Sequence, residues 1–173
     1  LGLGISPYGQ IGASSYHTAG SDPEGVAYTA YLSGARISNN SWGEVLEVQG
    51  NDGLYGDRSA TYDALTRDAV LTGSTNMPGV NPVNQEMLFV FAGGNDNGIA
   101  PVGYGDVLTT PPATAKNVIT VGASDLGSGP NSHALAGSWE NVSVYSSFGP
   151  CRDGRFKPDV VAPGTFVTGA TSQ

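Results

Sequence analysis

The chain has 173 residues, with 7 Lys+Arg against 15 Asp+Glu and a formal net charge of −8. That length is enough for one domain with a real core and too short to expect two, while 39% apolar against 13% charged residues argues against a disordered acidic polymer. The few basic residues form no cluster to grip nucleic acid, and no apolar run nears the ~18–20 residues of a membrane span. The first residue is Leu1 and the only methionines are Met77 and Met87, so the expectation is a piece, or a processed form, of a longer polypeptide. A single cysteine, Cys151, can form no disulfide within the chain and reads as a bystander thiol in a Gly-Pro-Cys-Arg-Asp-Gly turn.

In chain order, Gln10–Ala13 is the first short apolar run and predicts a strand, followed by a Ser-Ser-Tyr-His loop. Asp22-Pro23-Glu24 is a helix start, with an acid to cap, proline in the first turn and an acid beside it. Val26, Tyr28, Ala30 and Leu32 follow, and Gly34 ends that helix. Ala35–Asn39 predicts a second strand. A second helix is expected from about Ser59 to Thr72, with Tyr62, Leu65 and Ala69 on one face, Asp57 near its start and Gly73 as its cap. Met87–Ala92, Val118–Ala123 and Val142–Ser146 predict further strands. Their near-continuous, β-branched character is that of strands buried on both faces. Glu44–Tyr55, Ser74–Asn84 and Asp96–Pro112 read as long loops, which α/β enzymes use for binding surfaces. Strand and helix alternate, so the fold class is α/β with a parallel sheet.

Three segments carry chemistry. Leu88-Phe89-Val90-Phe91-Ala92-Gly93-Gly94-Asn95 ends a buried strand in two glycines, where no Cβ bars the approach of a ligand backbone. An asparagine amide there suits an oxyanion hole, a donor whose loss costs about 3–4 kcal/mol of transition-state stabilisation. Taken alone, Asn95 reads more readily as a turn residue capping a Gly-rich loop. Ile37-Ser38-Asn39-Asn40-Ser41-Trp42-Gly43 runs a strand out into an edge that can pair with an extended peptide, or is simply a strand end with a half-buried tryptophan. Ser146–Gly164 wraps several turns round a short apolar run and reads as a corner that positions the chain beyond it.

Together and in this order, these segments resemble the subtilisin-like serine peptidases, nearest the large alkaline, oxidant-resistant bacterial branch. Ser33-Gly34-Ala35-Arg36-Ile37, Asn40-Ser41-Trp42-Gly43, Ala92-Gly93-Gly94-Asn95, Ala113-Thr114-Ala115-Lys116-Asn117-Val118-Ile119-Thr120-Val121-Gly122-Ala123 and Ser146–Gly164 carry the likeness. It extends from about Ser33 to Gly169, and more weakly over Gly4–Gly20. The resemblance implies a parallel-sheet, three-layer fold, and a serine endopeptidase that is a secreted hydrolase. It puts Asn95 on the oxyanion-hole asparagine. Ser41, Trp42 and Gly43 fall on the strand that docks the acyl side of the substrate, Ala92, Gly93 and Gly94 on the opposite wall of the specificity pocket, and Thr110 near its base. Residues near Ser14–Gly20 would flank the substrate on the other side.

Subtilases attack with a serine, using a histidine base oriented by a buried aspartate. The family's Asp segment, its His-Gly-Thr-His segment and its Gly-Thr-Ser-Met-Ala nucleophile helix do not occur in this sequence. His17, His133 and Ser172 lack the matching contexts. The expectation is therefore an incomplete catalytic domain over residues 1–173, without the N-terminal strands and the nucleophile helix, inactive alone, with the triad supplied from outside. Such a chain is expected to expose sheet edges and apolar sheet surface, and either to need its missing parts or to self-associate. The partner expected is a peptide or protein substrate, with neither nucleic acid nor membrane. No cofactor is required. A structural calcium or monovalent cation is a candidate near the Ala113–Val118 loop, where Asp159 matches a carboxylate of the family's weak ion site but Lys157 stands where some relatives have a second acid. The scattered Asp96, Asp106 and Asp125 read as turn residues, and no metal ligands are assigned. The alternative is a non-catalytic peptide-binding module that keeps the docking strand without the chemistry. A nucleotide-binding domain is disfavoured, because Leu1-Gly2-Leu3-Gly4 has no strand before it and Gly93-Gly94-Asn95 has the wrong spacing.

Overall fold

The computed structural model describes residues 9–15, 22–44, 53–69, 85–95, 108–125 and 140–165. The first helix, α1, spans Pro23–Leu32. An Asp22 carboxylate oxygen accepts the Gly25 N–H at 2.9 Å, satisfying one of the orphan donors of the first turn. Ser33 closes the helix and Gly34 takes a φ of 95°, which lets the chain reverse into β1, Ile37–Asn40. The second helix, α2, spans Asp57–Arg67. It begins earlier and ends sooner than the expected Ser59–Thr72. The chain has turned by Ala69, whose N–H donates to the Gln85 carbonyl at 2.8 Å. Tyr62 and Leu65 are buried on one face of the helix, as the spacing predicts, while Ala69 is buried beyond the helix end. Gly73 lies outside the described residues.

Among the described residues, strands β2 (Leu88–Ala92), β3 (Ile119–Ser124) and β4 (Val160–Pro163) join β1 in a sheet of order β1-β2-β3-β4, and each of these strand pairings is parallel. The α/β class with a parallel sheet is therefore as expected. The strands are not buried on both faces, however. In β2 and β3 buried residues alternate with half-buried ones. Phe89 and Phe91 point into the core with Tyr62, Leu65 and Ala27, whereas Leu88, Val90, Ile119 and Val121 point to the less covered side. Among the described residues, α2 packs on β2 and α1 packs on α2, so the cover these helices provide is one-sided.

Three sequence expectations fail locally. Residues 10–13 form no strand, and Ile11 is 93% exposed, so its side chain buries nothing that would hold an extended segment in place. Val142–Ser146 is reduced to one antiparallel bridge between Ser124 and Val142, with Val142 and Val144 outward and Ser143 and Ser146 inward. The serines are inside because the sheet end needs hydrogen-bond partners there, which valine cannot supply. The third failure is β4, read as part of a corner although its backbone joins the sheet.

The core's centre is aromatic. The Tyr62 ring meets Phe91 at 4.8 Å, Phe89 at 5.1 Å and Trp42 at 6.0 Å between centroids, all edge-to-face, and Trp42 meets Phe91 at 5.5 Å. Such pairs add about 0.5–1.5 kcal/mol each beyond their burial. Desolvation pushes the Tyr62 phenol up to about 12. A hydrogen bond to Asp63, 2.7 Å from its hydroxyl, does the same for Tyr55.

Two outcomes follow for stability. Leu65→Ala, at a position with no exposure, is expected to cost about 2–5 kcal/mol, read as a lower denaturant midpoint at constant slope. Because both phenols hold their protons more tightly in the folded chain than at the ordinary value of 10.0, their contribution is intact below that pH. It is lost as pH rises toward about 12. Denaturation midpoints across this alkaline range should fall, and fall less in Tyr62→Phe.

Candidate functional site

The C-terminal end of β2 opens into a cleft of about 310 Å³, lined by Asn39, Ser41, Gly94, Asn95, Tyr145 and Gly164 among others. Gly93 continues the ladder past the strand, donating to the Val121 carbonyl at 2.8 Å. Gly94 then takes a φ of 116°, a conformation that favours glycine. A Cβ on Gly94 would lie 2.7 Å from the Ser147 hydroxyl oxygen, and one on Gly93 would lie 3.3 Å from the Val121 carbonyl oxygen. The glycines are thus required by the chain packed behind them as well as lying on the cleft. Asn95, exposed at the lip, follows directly from this turn.

The opposite side comes from the end of β1. Asn40 is buried, and its amide donates to the Ser38 hydroxyl at 3.0 Å and the Ser38 carbonyl at 3.2 Å. Its side-chain oxygen accepts from the Trp42 indole N–H at 3.2 Å. That exchange turns the Trp42 ring onto Tyr62 and Phe91 and away from the cleft, leaving exposed Ser41 as the lining residue. Gly43 lies against Thr110, whose hydroxyl oxygen is 2.9 Å from where a Cβ would stand. The Glu44 N–H donates to the Pro111 carbonyl at 2.9 Å.

The cleft therefore gathers Ser41, Ala92, Gly93, Gly94 and Asn95 from the sequence-predicted set, while Trp42, Gly43 and Thr110 sit beside or behind it. Ser14 and Ser15 are exposed, and residues 16–20, including His17, lie outside the described residues, as do His133, Ser172, Asp96 and Asp106. The sequence reading missed Tyr145 and the Ala162–Gly164 end of β4. Tyr145 donates its hydroxyl proton to the Gly164 carbonyl at 2.8 Å, tying the two together across the cleft wall. No local motif marks it, because its partner is distant in sequence.

Behind the cleft, segment 143–148 is strapped over the sheet end. The Ser143 N–H donates to the Ala123 carbonyl at 2.9 Å and its hydroxyl to Asp125 at 2.8 Å. The Ser146 hydroxyl accepts from the Ala123 N–H at 3.0 Å. At the other end of β3, the Lys157 ammonium is buried and donates to the Val118 carbonyl at 3.0 Å and to Asp159 at 2.6 Å. Asp159 also accepts the Thr120 N–H at 2.7 Å. Cys151 is buried, and desolvation raises its thiol above the ordinary cysteine value, the opposite of what a thiolate nucleophile needs. Among the described residues no helix is long and apolar enough to cross a membrane.

The family model described as the subtilase family matches residues 8–173. Two Dictyostelium discoideum proteins named serine protease/ABC transporter B family protein are similar over most of the chain. TagD is 27% identical over 206 residues, taking in 82% of this chain and 10% of that protein. TagB is 26% identical over 208 residues, taking in 97% and 11%. An uncharacterised Aquifex aeolicus (strain VF5) protein is 38% identical over 73 residues, 42% of this chain and 32% of its own length. The chain thus spans about a tenth of the slime-mould relatives.

Three substitutions test the framework around the cleft. Gly94→Ala meets both the positive φ and the Ser147 hydroxyl and is expected to cost more than about 1 kcal/mol. Asp159→Asn removes the negative charge that faces the buried Lys157 ammonium, which keeps its bond to the Val118 carbonyl, and is expected to cost about 2 kcal/mol. Lys157→Met should cost less, since Asp159 is 39% exposed and water can solvate it. Chemical denaturation of the three variants measures these costs, and an inverted order for the Lys157–Asp159 pair would refute the asymmetry.

Proposed function

The chain belongs to the subtilase family, a family of serine peptidases, and on that premise we propose that it supplies the oxyanion donor and the substrate-docking walls of a serine endopeptidase. In this reaction a serine attacks the scissile carbonyl, a histidine takes the serine's proton and returns it to the leaving amine, and water then releases the acyl group. Charge gathers on the carbonyl oxygen in each tetrahedral intermediate. The Asn95 amide N–H donates to that oxygen. Ser41, with Trp42 and Gly43 beside it, aligns the acyl-side strand of the substrate, and Ala92, Gly93, Gly94 and Thr110 shape the pocket for one of its side chains. The triad residues stand on segments other than these 173 residues, because the family's three triad motifs do not occur here.

The observation that carries this reading is the meeting of Ser41, Gly93, Gly94 and Asn95 at one cleft beyond the C-terminal ends of parallel strands, where open α/β sheets bind ligands. The proposed reaction requires no cofactor. Lys157 supports a structure that needs no cation beside Asp159, since its ammonium already engages the Val118 carbonyl and that carboxylate. Composition supports secretion. The exposed rims of the sheet, Ile37 at 65% and Val160 at 51%, support self-association of this chain when made alone.

The intact protein is expected to hydrolyse a fluorogenic peptide and to be blocked by a serine-directed inhibitor. The 173-residue chain alone is expected to show none of that turnover, since removing a triad costs on the order of 10⁶-fold. Inhibitor-sensitive turnover by the isolated chain, verified by mass, would overturn the placing of the triad. Peptide binding by an intact protein without turnover would leave only a binding module. In the active protein, Asn95→Ala should lower kcat by about 10²–10³-fold.

A further inference from the structure

We propose that Ser147 is a positioning residue for the oxyanion donor, acting on Asn95 from behind the cleft. This rests on the role proposed above for Asn95. Ser147 is 1% exposed and does not line the cleft, so it touches no substrate. Its N–H donates to the Gly94 carbonyl at 3.0 Å, and its hydroxyl occupies the place where any side chain at Gly94 would stand. Holding the Gly94 carbonyl fixes the plane of the Gly94–Asn95 peptide, because the amide is rigid and planar. The φ of 116° at Gly94 is a conformation in which glycine is free to wander, and the Ser147 hydroxyl removes that freedom on one side. Asn95 stands exposed at the lip, so the aim of its amide is inherited from this turn.

Ser147 is itself held. The adjoining Ser146 hydroxyl accepts the Ala123 N–H at 3.0 Å and donates to the Ser147 carbonyl at 3.3 Å, fixing the serine pair to β3. Two residues on, the Gly149 N–H donates to the Lys157 carbonyl at 2.7 Å, and Lys157 is anchored by its buried ammonium. The turn that carries the oxyanion donor is thereby referred to β3 and to the Lys157 anchor. An oxyanion donor lowers the barrier only while it is aimed where charge develops, so a displaced turn reduces the rate without weakening the binding of substrate elsewhere.

The test is a double-mutant cycle in the intact, active protein. Ser147→Ala keeps the backbone donor but empties the space behind Gly94. It is expected to lower kcat by about tenfold with KM little changed, a fraction of the ~10²-fold that a misplaced group costs. In an Asn95→Ala background the same substitution should change kcat less than about twofold, because there is no donor left to aim. A serine that only stabilises the fold would lower activity equally in both backgrounds, and that result overturns the proposal while the oxyanion reading stands. An Asn95→Ala variant with undiminished kcat overturns the oxyanion reading itself. Ser147→Thr keeps the hydroxyl but crowds Gly94. It should give the same kcat-selective, Asn95-dependent loss, and covers the case in which S147A folds poorly.

Discussion

Tyr62 presents one aromatic ring to three others, and the architecture of the described residues turns on that meeting. The ring comes from α2. Phe89 and Phe91 come from β2 and Trp42 from the segment just beyond β1. Edge-to-face contacts at these separations fix relative angle as well as distance, since the positive edge of one ring seeks the negative face of another. A helix, the strand that ends in the candidate oxyanion turn and the candidate docking strand are therefore set against each other by one cluster. Trp42 gives up its place in the cleft to join this cluster, and Ser41 takes the surface position. The wall of the cleft is in this sense a by-product of core packing.

Polar groups do the corresponding work where the sheet ends. A parallel sheet leaves its last carbonyls and N–H groups without strand partners, and buried groups of this kind must be satisfied. Here the satisfaction comes from serines: Ser143 and Ser146 bond to Ala123 and Asp125, and Ser147 to Gly94. Lys157 and Asp159 close the other end of β3 on the Val118 carbonyl and the Thr120 N–H. The charge pair is lopsided, with the ammonium buried and the carboxylate partly wet. Its role is to hold backbone in place, and little net Coulomb energy is to be expected from such a pair.

Much of this was legible in the residues. The Asp22-Pro23 cap, the buried face of Tyr62 and Leu65 and the strands around Ser38, Val90 and Val121 follow from local chemistry and periodicity. The likeness carried by Asn40-Ser41-Trp42-Gly43, Ala92-Gly93-Gly94-Asn95 and the later segments agrees with the match to the subtilase family. What escaped was non-local. Val142–Ser146 has a strand's composition, yet its serines face inward because Ala123 and Asp125 wait for them. Gln10–Ala13 has the composition too, but finds no burial for Ile11.

By itself the sequence determined the fold class, because capping, turn chemistry and hydrophobic period act over a few residues, and its likeness to the subtilases marked the residues to inspect. Only the tertiary structure decided that Trp42 turns inward, that Tyr145 reaches Gly164, and that Gly94 is glycine on account of Ser147. Each of those depends on segments far apart in the chain, and the reason for each side chain's direction lies in its partner, which no local pattern encodes.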